Sequence, residues 1–292
     1  MAVQDAAVSP RDRLLAGVPL EERRLNLAGI STALLEGGEG PPLVLLHGPA
    51  GNATHWARVM PALVTTQRVI VPDLPGHGAS EGGAGPLDAD RVLAWLSELI
   101  EHTSPAPPVL VGYALGGAIA ARFAADGDAA VARLVLVDAL GLAAFDPAPA
   151  FGQALNEFLA DPGDRTHDRL WRHCALDADA LRARMGDLWE PFEAYNVDRV
   201  RRPSVQAALT ALMGQFGMPA IPAPELARIA APTNLIWGRH DPATRLYVAE
   251  AASALHGWPL EVIDDCAADP HLEQPEAFCA ALRRALDGKG AA

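Results

Sequence analysis

Short apolar runs bounded by turn residues alternate along this chain with longer stretches whose apolar positions recur at helical spacing. "LNLAG" and "STALLEGG" read as an opening pair of strands. "PLVLLHG" (42–48), "RVIVPDLPG" (68–76), "PVLVGY" (108–113) and "RLVLVDA" (133–139) are rich in Val, Leu and Ile, as strands covered on both faces are. Between them, "THWARVMPALVTT", "DADRVLAWLSELIEHT" and "LGGAIAARFAADG" fit helices, with Asp88 as a cap for the second. This alternation predicts a mostly parallel sheet with helices on both faces.

The rhythm stops at about Leu142. Up to Pro224 there are only helix-like pieces broken by prolines, such as "FGQALNEFLADP" and "DADALRARMGDLWEPFEAY". Strand patterns resume at "PTNLIWGRHD" (232–241) and "PLEVIDDC" (259–266), with helical patterns at "RLYVAEAASALHG" and "QPEAFCAALRRALDG". The expected organisation is one α/β core, residues 1–141 and 225–292, interrupted by a helical cap over residues 142–224. Such an insertion commonly covers a ligand cleft at the carboxyl ends of the strands.

Composition narrows the function. The chain has 292 residues, is 50% hydrophobic and carries a net charge of -13. It can therefore bury a large core, and it offers no basic stripe for nucleic acid or an anionic membrane surface. The one basic run, "DRVRRP" (198–203), reads as a solvated helix end. Cys174, Cys266 and Cys279 are odd in number and lack metal-ligand spacing, which suits a reducing compartment. The N-terminal stretch "MAVQDAAVSPRDRLLAG" has early acids and no apolar leader core, and no run approaches 18 apolar residues. The expectation is a soluble cytoplasmic protein without metal or cofactor, compatible with a homodimer.

The chemistry centres on "PPVLVGYALGGAIAARFAADG" (107–127), a strand, a sharp turn and a helix marked by paired glycines. Two mechanisms use such a turn. In a dinucleotide site, Gly112, Gly116 and Gly117 would free backbone N–H groups for a pyrophosphate, and Asp138 would hold a ribose, but the G-x-G-x-x-G spacing is missing. In a nucleophile elbow, G-x-S-x-G, a strained turn exposes a serine above the sheet. Gly112-Tyr113-Ala114-Leu115-Gly116 matches every position except the serine.

With that elbow, the chain resembles the α/β-hydrolases over nearly its whole length. "LVLLHGPAGN" is similar to the loop after the family's third strand, and "VPDLPGHGAS" to the turn after the fourth. "IWGRHDPAT" and "PHLEQPEAF" are similar to the segments that carry the catalytic acid and follow the catalytic histidine. The resemblance implies an eight-stranded, mostly parallel, doubly wound sheet. It places the acid on Asp241 and the nucleophile position on Ala114, and it implies supporting roles for His47, Gly48, Gly112, Tyr113 and Gly116. The family's histidine lies three residues before the one in "PHLEQ", which here is Ala268. An oxyanion donor is expected from the Leu115 N–H. The second usually follows His-Gly, where Pro49 has no N–H, leaving Ala50 or a shifted loop.

Both the nucleophile and the base positions are thus alanine, which should abolish ordinary hydrolysis, because loss of one such residue costs on the order of 10⁶ in turnover. His271, His240, Cys266, His47, His77 and Ser80 read as structural rather than as substitutes. Two accounts follow. One is a Ser-His-Asp hydrolase whose nucleophile and base were replaced, Ser→Ala at 114 and His→Ala at 268. The other is a natural pseudo-hydrolase that binds a small apolar ligand. The first is preferred, because relaxed selection would scatter changes, whereas the glycines, Asp241 and "HLEQPEAF" are intact. In the insertion, Trp171, Trp189, Phe192 and Met213 are the candidates for facing the cleft. An apolar cover favours a small apolar carboxylic ester, with C–C and epoxide hydrolases on the same fold as further options.

Overall fold

The computed structural model describes residues 8–126 and 130–288. Residues 1–7 of the N-terminal stretch and Gly127, the end of the helical pattern after the elbow, lie outside them. Eight strands form one sheet: β1 (Glu21–Leu27), β2 (Ile30–Gly37), β3 (Pro42–Leu46), β4 (Arg68–Pro72), β5 (Val109–Tyr113), β6 (Arg133–Val137), β7 (Thr233–Gly238) and β8 (Leu260–Ile263). Their order is β1-β2-β4-β3-β5-β6-β7-β8. β2 pairs antiparallel with β1 and β4, and every other ladder is parallel. This is the mostly parallel α/β sheet that the strand–helix alternation predicts.

The central strands are aliphatic because both of their faces are covered. Leu43, Val44, Leu45 and Leu46 of β3 and Leu134 to Val137 of β6 are fully buried. The helix Ala89–Thr103 starts at Asp88, whose carboxylate accepts the Arg91 N–H at 3.0 Å. Its Trp95 donates to Thr32 Oγ1 at 2.8 Å, so the helix is tied to β2 as well as packed on the sheet.

Between β6 and β7 the described residues form helices and no strand. The longer ones are Pro149–Ala160, Asp164–Cys174, Ala178–Met185, Trp189–Val200 and Pro203–Leu212. Trp171, Leu181, Phe192 and Tyr195 from this segment pack with Leu14 and Leu272. Leu14 belongs to a helix at Pro10–Leu15, where Ser9 caps by accepting the Asp12 N–H and Pro10 opens the first turn. Its neighbour Arg11 is buried, pairs with Asp73 at 3.1 Å and donates to the Tyr195 hydroxyl at 3.2 Å. The N-terminal helix therefore clips the helical segment to the sheet. Among the described residues no helix is long and apolar enough to cross a membrane, and the three cysteines are unpaired.

Candidate active site

The turn after β5 carries strained backbone. Ala114 has φ 46° and ψ -110°, a conformation that costs a residue with a Cβ on the order of 1–3 kcal/mol. The surroundings hold it there. The Ala114 N–H donates to Val137 O at 3.0 Å, and its carbonyl accepts from Ala118 and Leu140 at 3.1 Å each. The chain can turn this tightly only through glycine. A Cβ on Gly112 would stand 2.4 Å from Gly116 O, and one on Gly116 would stand 2.5 Å from Leu46 O.

The loop after β3 faces this turn. Gly48-Pro49-Ala50-Gly51 closes a reverse turn with Gly51 N–H on Gly48 O at 3.2 Å, Pro49 in second place and Ala50 at φ 55° in third. His47 fixes its orientation. Its Nδ1–H donates to Gly48 O at 2.8 Å, and its Nε2 accepts the Leu74 N–H at 2.9 Å. Burial holds this imidazole well below the ordinary histidine range, so it is neutral, as those two bonds require. Asp73 anchors the same loop by accepting the Ala53 N–H at 2.6 Å. Among the described residues neither the Leu115 nor the Ala50 N–H has an acceptor.

Asp241, in the loop after β7, is buried. Its two oxygens accept from the Ala243 N–H at 2.7 Å and from Thr244 Oγ1 at 2.8 Å. Burial nevertheless raises its pKa to about 7, against those hydrogen bonds. Asp138, at the end of β6, is equally buried. It accepts the Gly238 N–H at 2.9 Å and is pushed well above the carboxylate range by burial and by Asp241. It points into protein, not into a nucleotide groove, which removes the ribose-binding reading.

Ala268 lies in the loop after β8. Its N–H donates to Cys174 O at 2.9 Å, a bond from the core to the helical segment. Glu273 shapes the loop from beneath: one oxygen accepts the Ala267 N–H at 2.9 Å and the Asp269 N–H at 3.3 Å, and the other accepts the Leu176 N–H at 2.7 Å. Asp269 is buried, and its pKa rises to about 8 through burial and then through Glu273.

One cavity of about 340 Å³ joins these parts. Gly48, Pro49, Ala50, Tyr113, Ala114 and Ala268 line its sheet side, with Asp269 beside them. Phe151, Phe158, Trp171 and Met213 from the helical segment line the other side. The wall is mostly apolar; its polar members are His55, His167 and Asn196 on one stretch, with Asn156, Thr210 and Asp269 elsewhere.

Residues 43–281 match the model of the alpha/beta hydrolase family. The chain belongs to that family. Among its curated relatives, a pimeloyl-[acyl-carrier protein] methyl ester esterase from Aromatoleum aromaticum is 32% identical over 83% of this chain and 96% of its own length. A magnesium-chelatase 30 kDa subunit from Rhodobacter capsulatus is 32% identical over 77% of this chain and 80% of its own. An acetyltransferase component of an acetoin cleaving system from Pseudomonas putida is 39% identical, but this chain spans only 29% of that longer protein. The solved carboxylesterase CesB from Bacillus subtilis superposes with a TM-score of 0.80 at 22% identity, covering 96% of each chain, which shows the shared fold.

Against this α/β-hydrolase frame, Ala114, Ala268, Tyr113, Gly48, Pro49 and Ala50 meet at one cavity. Leu115, Gly112, Gly116 and His47 sit directly behind it, and Asp241 is buried next to the Ala243 that borders the helical segment. Trp171 and Met213 reach the cavity, whereas Trp189 and Phe192 pack against Trp171. His271 is sealed among Trp56, Tyr113 and Phe278 with both ring nitrogens unpartnered, and burial holds it neutral. His240 is exposed. Ser80 accepts the Ala33 N–H and donates to Asp73 O, a loop-ordering role. His55, Asn196, His167, Asp269 and Glu273 were not singled out as site residues by the sequence. His167 sits in the polar run DRTHDRLWRHC, and no local pattern marks it or Asn196 as cavity-facing.

Proposed function

We propose that the chain is the scaffold of a carboxylic-ester hydrolase of the Ser-His-Asp type, in which alanine holds both the nucleophile and the base positions. The observation that carries this is the shared cavity: Ala114, on a strained turn, and Ala268, on a loop braced by Glu273, both open onto it. In the active form, a serine hydroxyl at position 114 would attack the ester carbonyl. An imidazole at position 268 would take the proton and return it to the leaving alcohol, with Asp241 fixing its tautomer. The Leu115 N–H at the helix start, joined by that of Ala50 because Pro49 has none, would stabilise the oxyanion. The helical segment acts as a cap that selects a small to medium apolar substrate. The esterase relative, matched over most of both chains, supports the reaction class.

As it stands, the chain lacks both the attacking atom and the proton carrier, and it is inert or nearly so. Asp241, without an imidazole N–H to receive, fits its raised pKa of about 7. The second reading, a natural receptor for a small apolar ligand, is favoured by the intact, mostly apolar cavity. A fluorophosphonate probe separates the two. With Ala114→Ser and Ala268→His together, the peptide carrying position 114 should gain the mass of the phosphonyl group, the probe less HF. A folded double variant that stays unlabelled would favour the receptor.

A further inference from the structure

One polar stretch of the cavity wall is a single hydrogen-bonded chain. His55, in the short 3₁₀ turn Ala53–Trp56, meets Asn196 Oδ1 through Nε2 at 3.1 Å. Asn196 Nδ2 meets His167 Nε2 at 3.3 Å, and His167 Nδ1 meets Glu193 Oε1 at 3.2 Å. The three inner members are buried, and Glu193 is half-buried at the outer end. Aromatic rings surround the chain, with Phe192 5.2 Å from His55 and Phe158 5.6 Å from His167. Taking polar groups into such a setting is costly unless each one is satisfied.

The carboxylate sets the direction. Glu193 accepts, so His167 Nδ1 carries the hydrogen and, in a neutral ring, Nε2 is a lone pair. The Asn196 amide therefore donates to His167 and presents its carbonyl oxygen to His55, whose Nε2 must carry a hydrogen. Every link is then made without a buried cation, and the unused groups are the second amide hydrogen of Asn196 and the lone pair on His55 Nδ1. That nitrogen has no partner among the described residues and, unlike the nitrogens of His271, is not sealed in protein. It lies beside Gly51, where a Cβ would stand 3.3 Å from it. Burial lowers the pKa of His55 to about 4, which agrees with a neutral ring.

We infer that His55 Nδ1 is a fixed hydrogen-bond acceptor in the cavity and selects a ligand with a hydroxyl or N–H donor on its otherwise apolar body. This deepens the esterase reading and rests on it for the ester, but not for the donor. His55 is a specificity residue held by Asn196, His167 and Glu193, and it takes no part in bond breaking.

The chain as it stands tests this, because binding can be read without turnover. Methyl ω-hydroxyalkanoates of four to ten carbons are titrated beside the matching methyl alkanoates. At one chain length the hydroxylated member should bind about three- to tenfold more tightly, the worth of one hydrogen bond. His55→Phe, which keeps an aromatic ring, and Glu193→Leu, which removes the acceptor that directs the chain, should each erase that preference. Two-bond ¹H–¹⁵N spectra should show a neutral His55 with Nδ1 unprotonated at pH 7, its resonance shifting when the hydroxy ester binds. Equal binding of the pair at every length, or a proton on Nδ1 as a turned-over Asn196 and an imidazolium at His167 would require, overturns the inference. Neither outcome bears on whether restoring a serine and a histidine restores hydrolysis.

Discussion

Ala114, at the apex of the turn after β5, and Ala268, in the loop after β8, line the same cavity from opposite sides of a chain insertion. One is held in a conformation that costs energy, and the other sits on a loop whose backbone N–H groups converge on one buried carboxylate. Structure of this kind is built to aim side chains, and here the side chains stop at Cβ.

Glu273 makes the loop rigid, so its removal should be felt in stability. Glu273→Leu leaves the buried Ala267 and Asp269 N–H groups, and that of the exposed Leu176, without their acceptor. A loss of about 2–4 kcal/mol is expected, read as a lower midpoint in urea at unchanged slope. A midpoint within error of the parent would show that water replaces the carboxylate.

The elbow glycines should tolerate nothing. Gly112→Ala drives a methyl onto Gly116 O and should leave little folded protein. Gly152→Ala is the control: it lies in the helix Pro149–Ala160, its nearest neighbour would be Pro147 at 3.5 Å, and it should stabilise by about 0.5–1 kcal/mol. Similar thermal midpoints for the two variants would contradict the close-packed turn.

Arg11 is the partner of a fully buried Asp73, so Arg11→Met strands that carboxylate and its hold on the Ala53 N–H. The expected loss is about 3–5 kcal/mol. Limited proteolysis should then cut first in the helical segment, because Arg11 also bonds Tyr195. Cutting in the sheet strands first would refute the clip.

The buried acids make stability fall with pH. Above about pH 7.5 the unfolded chain's carboxylates are ionised and its histidines, half protonated near 6.5, are neutral. Asp241, at about 7, and Asp269, at about 8, still hold protons in the folded state. The native state therefore binds more protons than the unfolded one, and stability declines between about pH 7.5 and 9. Asp241→Asn keeps the bond to the Ala243 N–H and can donate to Thr244, whose hydroxyl also reaches Asp138 O. It should flatten part of the decline in thermal scans. A midpoint that rises across this window would contradict the raised values.

Much of the sheet was legible because strands buried on both faces must be aliphatic, and β3 and β6 are nearly pure Leu and Val. The elbow was legible because only glycine permits its close approaches. β8 is shorter than its pattern, four residues from Leu260 to Ile263, because the polar DDC that follows turns away toward the Ala268 loop. The helix Pro10–Leu15 was missed, although Ser9-Pro10 with Asp12 is a helix-start signal. Which cap aromatics reach the cavity was not legible, since Trp171 and Trp189 share composition and differ only in how their helices pack. The His55–Asn196–His167 chain was invisible for a plainer reason: 141 residues separate its first two members, and no local pattern joins them.

The most direct test restores both side chains, Ala114→Ser with Ala268→His, and compares hydrolysis of short-chain p-nitrophenyl esters with the chain as it stands. The account predicts a gain of several orders of magnitude in kcat/KM that Asp241→Asn largely abolishes. A folded double variant with no gain across ester, lactone and thioester panels would contradict it.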